Sequence, residues 1–240
     1  MNLEGADQSL VAAAHELKTP LVLMRQLSYE LESCDNLAQR NEIIRRMRLT
    51  ADRSLRLADN LTKMARLEDA MFAMEPIQIG GLCREVIDEL SPLSRALEQT
   101  FDIKISGKSA VAVGNRDLLR SLLMGLVDNA LQYNSDGPIR ISVNARGDET
   151  VITVRDHGPI MDLGEYRQLA RSLGSQTMPI SARPLSSGLG LMIAGRFAAA
   201  MHGRLSVSRH HSGGMTFRTH LPMSSQMSFA DLASESRVGA

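Results

Sequence analysis

The sequence contains no tryptophan, and its aromatic side chains are limited to three tyrosines and five phenylalanines in 240 residues. Fourteen methionines accompany them, so we expect an aliphatic core that can adapt its packing. Cysteine is also rare, with two residues in the chain. Cys34 and Cys83 are too few for a disulfide framework, and their spacing suits no metal site. These absences indicate a reducing, cytoplasmic setting.

The sequence also lacks an excess of charge and a long apolar run. Basic and acidic residues number 27 each, so the chain as a whole has no attraction to nucleic acid or anionic lipid. No apolar stretch approaches the ~20 residues that span a bilayer, and MNLEGADQ at the start is not a signal peptide. We therefore expect no nucleic-acid partner and no direct membrane insertion; any sensor or membrane partner would be a separate protein.

Residues 7 to about 69 predict two long helices, because apolar and small residues recur at steps of three and four. The join SCDNLAQ offers an N-cap for the second helix. Two helices cannot enclose a core, whereas a homodimer forms a four-helix bundle. The seam residues are Leu10, Ala14, Leu17, Leu21, Met24, Ser28 and Leu31 in the first helix, and Ile44, Met47, Ala51, Ser54, Ala58, Leu61 and Ala65 in the second.

The periodicity changes after Glu68, which predicts a second domain at residues 71–222, behind a first domain at 1–70. The pattern of the second domain predicts a short strand near 75–79, a helix in 81–97, a strand in 101–106 and a long helix in 115–133. A strand hairpin, a helix from 190 and two closing strands follow, giving an α+β fold with a mostly antiparallel sheet. The scattered Gly, Pro and Ser of residues 160–187 predict a long irregular loop. The polar tail 223–240 is expected to be disordered.

The first helix contains HELKTP at residues 15–20, where Pro20 costs ~3 kcal/mol in a helix interior. His15 lies about 100° from the seam, a position that solvent can reach. Glu16 can hold one ring nitrogen of His15 and make the other a better nucleophile. An ordinary surface histidine explains the same pattern, so HELKTP alone decides nothing.

Three segments of the second domain suit a bound nucleotide. In LVDNALQY, Asn129 offers an oxygen of the kind that Mg²⁺ prefers. In VRDHGP, Asp156 ends a strand and can accept a hydrogen bond from an adenine amino group, and Gly158 reverses the chain. In SSGLGL, Gly188 and Gly190 open a helix and let backbone N–H groups approach phosphates. Each segment is a weak signal by itself.

These three segments follow HELKTP in the order found in the sensor histidine kinases of two-component systems, and the chain resembles that family over nearly all of residues 7–222. HELKTP looks like the phosphoacceptor box of that family, LVDNALQY like its asparagine box, and DHGP and SSGLGL like its two glycine boxes. The resemblance implies a dimerisation and phosphoacceptor hairpin followed by a two-layer ATP-binding sandwich of the gyrase and Hsp90 type.

The resemblance also implies a role for each matching residue. His15 would be the phosphorylated nucleophile, Glu16 its base, and Thr19 the residue that positions water when a partner is dephosphorylated. ATP and Mg²⁺ would be the cofactors, and the aspartate of a response regulator receiver domain would accept the phosphoryl group. The remaining assignments are Asn129 as Mg²⁺ ligand, Tyr133 and Asp156 at the nucleotide, Gly158, Gly188, Leu189 and Gly190 shaping the pocket and lid, and Arg167, Arg171 and Arg183 as phosphate contacts.

Four residues depart from the family pattern: Gly125, Gln132, Ile160 and Ser186. Gln132 removes a positive charge that the family usually has near the phosphates. These departures keep a second reading open, in which the hairpin is a non-catalytic phosphorelay or phosphatase module beside a degenerate ATP-binding domain. A third reading, an ATPase clamp or serine kinase of the wider superfamily, has no use for HELKTP.

Overall fold

The computed structural model of the chain describes residues 3–67, 72–105, 111–175 and 189–224, without the side chains of 3–12, 15, 172, 174 and 175. Two thirty-residue helices come first, α1 (Leu3–Glu32) and α2 (Leu37–Arg66), and they pack together as a hairpin. The predicted N-cap of α2 is confirmed. Oδ1 of Asn36 accepts hydrogen bonds from the backbone N–H groups of Ala38 at 2.9 Å and Gln39 at 3.2 Å.

The seam of the hairpin is largely uncovered in a single chain. Leu27 and Ile43 are buried between the helices, but Leu21 is 58% exposed and Ile44 is 51% exposed. α1 runs through Pro20 without ending. Among the described residues, no helix is both long enough and apolar enough to cross a bilayer.

The second part of the chain alternates strands and helices. Its elements are β1 (Glu75–Gln78), α3 (Ile79–Ala96), β2 (Phe101–Ile105), β3 (Val111–Gly114), α4 (Arg116–Tyr133), β4 (Ile139–Arg146), β5 (Glu149–Arg155), α5 (Leu163–Ser175), α6 (Leu189–Ala200), β6 (Arg204–Arg209) and β7 (Met215–Pro222).

Five strands form the main sheet in the order β2-β4-β5-β7-β6, and β1 pairs with β3 in a separate two-stranded sheet. β2 and β4 are parallel, and the other neighbouring strands of the main sheet are antiparallel. Contacts of α3, α4 and α6 with the sheet form the second layer. The predicted α+β two-layer architecture behind a helical hairpin is confirmed.

Three details differ from the sequence prediction. Residues 160–187 are not irregular throughout, because α5 occupies Leu163–Ser175 and packs against β6 and α6; residues 176–188 lie outside the described residues. β3 was not predicted. The predicted tail begins in the fold, since Met223 bridges to Ala112 and the N–H of Ser224 donates to the carbonyl of Val111 at 3.0 Å. Residues 225–240 lie outside the described residues.

Candidate active site

Helix α4 carries the predicted magnesium ligand at the edge of its buried face. The side chain of Asn115 caps the helix by accepting from the N–H of Leu118 at 3.1 Å. One face of α4 is filled by buried residues of the core, including Leu119, Leu122, Leu123, Leu126, Val127, Ala130 and Leu131. Asp128 and Asn129 are half-buried at the edge of that face, and Gln132 is exposed.

A cavity of about 350 Å³ lies where α4 and α6 meet the hairpin. From the hairpin, Glu16 and Thr19 line it, and from the second domain Asn129 and Gly190 line it. Both helices of the hairpin also contact α6. The wall also contains the charged or polar residues Arg53, Arg56, Asp59, Arg120, Asp128 and Gln132. The structure thus brings three residues of HELKTP, Glu16, Thr19 and Pro20, to the cavity that contains the predicted magnesium ligand.

Asp156 sits at the end of β5 and is 1% exposed. Its Oδ1 accepts hydrogen bonds from the backbone N–H groups of Gly158 and Met215, both at 3.0 Å. The N–H of Asp156 donates to the carbonyl of Met215 at 3.0 Å. A buried carboxylate needs hydrogen-bond partners. The two N–H groups supply them and hold the carboxylate in one orientation.

The end of α4 is tied to the residues after β5. Oδ1 of Asn134 accepts from the N–H of His157 at 2.8 Å, and Oγ of Ser135 donates to the carbonyl of His157 at 2.6 Å. These bonds place Tyr133, the last residue of α4, against Gly158. A Cβ atom on Gly158 would lie 2.6 Å from the backbone oxygen of Tyr133, so this close approach requires glycine.

We expect Gly158→Ala to lower the free energy of unfolding by ~1–3 kcal/mol, because the added methyl forces α4 away from β5. Gly125→Ala is the matched control. Its Cβ would meet nothing within 4 Å, and alanine in a helix interior is favoured by ~0.5–1 kcal/mol. Urea denaturation measures both. Equal stability of the two variants would contradict the close approach at Gly158.

Sequence reasoning missed the glycine pair between β6 and β7. Gly213 and Gly214 have φ values of +94° and +83°, a region that side chains disfavour. A Cβ on Gly214 would overlap the backbone oxygen of Asp156, so this turn packs directly against the backbone of Asp156. The signal was present as SGG between two predicted strands, where a positive φ is expected of a tight turn.

His210 lies in the same turn. Its Nε2 is 2.6 Å from Oγ1 of Thr216. Burial, followed by the charges of Arg155 and Arg218, lowers the pKa of His210 below its ordinary value. This shift favours the neutral form of the imidazole.

The predicted site residues fall into two groups. Glu16, Thr19, Asn129 and Gly190 share the cavity, and Tyr133, Asp156 and Gly158 meet where α4 and β5 end. Leu189 is buried at the start of α6. The side chain of His15, including its predicted exposure, and residues Gly188 and Arg183 lie outside the described part of the chain. Arg167 and Arg171 are exposed on α5, and the described residues that line the cavity do not include them.

The donor set of the cavity fits a magnesium ion that accompanies a nucleotide. Asn129 offers an amide oxygen, and Mg²⁺ commonly takes one or two protein oxygens with water and phosphate oxygens as its other ligands. Gly125, with open space beside it, leaves room at the wall. The neighbouring carboxylate of Asp128 is already paired with arginine.

Comparison with known proteins identifies a family and several relatives. The family described as histidine kinase-, DNA gyrase B-, and HSP90-like ATPase matches residues 114–225. The chain is 26% identical to the sensor protein CutS of Streptomyces coelicolor, over 88% of this chain and 51% of CutS. It is 30% identical to the sensor protein SphS of Synechococcus elongatus, over 87% of this chain and 53% of SphS.

A solved structure agrees in fold. The histidine kinase AdeS of Acinetobacter baumannii superposes with a TM-score of 0.62 at 16% identity, covering 87% of this chain and 98% of the AdeS chain. The present chain spans about half the length of the curated relatives it matches. Residues 114–225 therefore belong to the histidine kinase-, DNA gyrase B-, and HSP90-like ATPase family, and the chain as a whole is similar to sensor histidine kinases in sequence and in fold.

Proposed function

We propose that this chain is an ATP-dependent protein histidine kinase that phosphorylates itself on His15. The observation that carries the proposal is the shared cavity, in which Glu16 and Thr19 face Asn129 and Gly190. Residue 15 directly precedes Glu16 on α1. A nucleotide held by the second domain would therefore present its terminal phosphate to the turn of α1 that bears the acceptor.

The reaction forms a bond between a ring nitrogen of His15 and the γ-phosphorus. The bond from that phosphorus to the β,γ-bridging oxygen breaks, and ADP leaves with the electron pair. Glu16 accepts the ring proton or holds the opposite nitrogen, which favours attack. Mg²⁺ bound at Asn129 would neutralise phosphate charge. The protein's remaining contribution is positioning, the main requirement of phosphoryl transfer.

The second cluster would bind the base of the nucleotide. The carboxylate of Asp156 is fixed through Oδ1 by two backbone N–H groups and suits the acceptor role for an adenine amino group. Tyr133 would pack beside the base, while Gly158, Gly188, Leu189 and Gly190 would shape the pocket. We propose domain boundaries at 1–70 and 71–222, supported by the end of α2 at Arg66 and the start of β1 at Glu75.

Transfer to a response regulator would complete the function. The acceptor would be an aspartate of a receiver domain, and Thr19, exposed one turn after His15, would position water for dephosphorylation. The relatives are named sensor proteins, which supports a signalling role in the cytoplasm downstream of a separate sensor or of a segment outside this sequence.

The second candidate is a phosphorelay or phosphatase module with a degenerate ATP-binding domain. It is favoured by Gln132, which lines the cavity where the family usually has a basic residue. Two observations speak against this candidate. Gly125 leaves open space beside the cavity, and the sequence keeps Asn129, Asp156 and Gly190, which the family resemblance assigns to nucleotide binding. Nucleotide titration separates the candidates: the kinase binds Mg·ATP, and the degenerate module fails to bind it at millimolar concentration.

The direct test is incubation of the full chain with Mg·ATP, followed by intact-mass measurement before and after acid treatment. We expect the mass of one phosphoryl group to appear and to be lost in acid, as for phosphohistidine. A chain that binds ATP but never gains acid-labile phosphate is not an autokinase. Phosphoserine on a partner protein, without phosphate on His15, would favour the serine kinase reading.

We also propose that the hairpin forms a homodimeric four-helix bundle, since Leu21 and Ile44 on its seam remain exposed. We expect Leu21→Glu with Ile44→Glu to convert the dimer to a monomer, because the charges would be buried without partners. Leu55→Glu is the control, as Leu55 is 70% exposed on α2 but lies off the seam. Light scattering measures the mass, and a monomeric wild type would contradict the proposal.

A further inference from the structure

Polar contacts join α2 of the hairpin to α4 of the ATPase domain. The Nε of Arg53 lies 3.1 Å from Oδ2 of Asp128 and its Nη2 lies 3.2 Å from Oδ1. Arg56 approaches the same carboxylate at 3.8 Å. Further along, Nζ of Lys63 donates to Oγ of Ser121 at 2.9 Å. Apolar residues of α2, among them Leu57, Leu61 and Met64, pack beside these contacts against the ATPase core.

The contact of Arg53 with Asp128 lies next to the proposed magnesium ligand, whereas the contact of Lys63 with Ser121 does not. Asp128 directly precedes Asn129, so the ion pair ties α2 to the turn of α4 that would hold magnesium. The other wall of the cavity carries Glu16 and Thr19, which follow residue 15 on α1. Since α1 and α2 pack as one hairpin, the Arg53–Asp128 pair links the hairpin that carries the acceptor turn to the helix that carries the nucleotide turn.

The chemistry of the pair suits this task. Asp128 is mostly buried, with 17% of its side chain exposed, and Arg53 is 36% exposed. The two contacts run in parallel from the guanidinium to both carboxylate oxygens, and such paired bonds fix orientation as well as distance. Two arginines share one carboxylate, so among the described residues loss of Arg53 would leave Asp128 with the longer contact to Arg56.

We propose that Arg53 is a positioning residue: its ion pair with Asp128 docks the ATPase domain on the hairpin in the arrangement used for phosphoryl transfer. This inference rests on the proposed autokinase function. Misplacement of reacting groups by about 1 Å can cost about 100-fold in rate, so a lost docking contact should lower kcat. Nucleotide contacts lie on the ATPase side, so the KM for ATP should stay unchanged.

The test compares Arg53→Glu, Asp128→Arg and the double variant in the full chain. We expect each single change to lower the kcat of autophosphorylation at least about tenfold, and Arg53→Glu, which leaves the ATPase domain itself unchanged, to keep ATP affinity within about twofold. The double variant restores the pair with its charges exchanged and should recover most of kcat. Arg48→Glu makes the same charge change at an exposed residue of α2 and should have no effect.

A second measurement does not require activity. The radius of gyration from small-angle X-ray scattering should rise in each single variant, as the domains separate, and return in the double variant. Failure of the pair to restore either measurement overturns the proposal, and so does a higher kcat in Arg53→Glu, which would mark the contact as inhibitory. An inactive wild type that still shows this scattering pattern would count against the kinase function and leave docking intact.

Discussion

We expect His15→Gln to abolish the acid-labile phosphate and to leave ATP binding intact. Glutamine keeps the polarity of the position but offers no nucleophilic ring nitrogen. Residue 15 is on the hairpin, and the nucleotide contacts assigned above are on the ATPase domain, so the two properties should separate. Intact-mass measurement reports the phosphate, and titration with a fluorescent ATP analogue reports the binding. Phosphate that persists in His15→Gln would place the acceptor elsewhere.

Asn129→Ala is the partner experiment. It removes the oxygen assigned to magnesium, so both nucleotide binding and phosphate should be lost. Gln132 lines the same cavity and has no proposed ligand role. Gln132→Ala is therefore the matched control. Binding that survives in Asn129→Ala at wild-type affinity would contradict the magnesium assignment.

Asp156→Asn should weaken ATP binding by about 10- to 100-fold while the protein stays folded. An asparagine oxygen can replace Oδ1 as acceptor for Gly158 and Met215, so the backbone bonds survive. The other atom becomes an N–H donor that faces the donor amino group of adenine, and a hydrogen bond to a charged group is worth ~1.5–3 kcal/mol. Isothermal titration with ATP measures the loss.

The control for that experiment is Asp156→Ala, which removes the acceptor for both backbone N–H groups. We expect it to lose stability as well as binding, since buried donors without partners each cost ~1–3 kcal/mol. GTP offers a further comparison, because guanine has a carbonyl where adenine has its amino group. If Asp156→Asn binds ATP as tightly as the wild type, the carboxylate does not read the base.

The sequence was sufficient for the elements with strong periodicity and for the motifs they carry. The hairpin, α4 and the β4–β5 pair follow from apolar spacing, and Asn129, Asp156 and Gly190 were named from short motifs. β3 was missed because VAVG is four small residues with little hydrophobic contrast. α5 was missed although Tyr166, Leu169 and Leu173 are spaced as in a helix, because glycines at both of its ends suggested a loop.

Contacts between distant segments had no sequence signal. Arg53 and Asp128 are 75 residues apart, and each looks like an ordinary charge on an amphipathic helix. The same holds for the turn at Gly213 and Gly214, whose glycines predict a tight bend but not that it packs against the backbone of Asp156. Such pairings depend on how finished elements pack, which local periodicity does not encode.

The cavity has walls from both the hairpin and the ATPase domain, and this couples ligand occupancy to domain association. A molecule that touches both walls binds the docked form more tightly than the separated form. By thermodynamic reciprocity it must favour docking by the same factor. Inhibitors that reach across to Glu16 or Thr19 would therefore bind more strongly to the intact chain than to the isolated ATPase domain, and screening against that domain alone would overlook them.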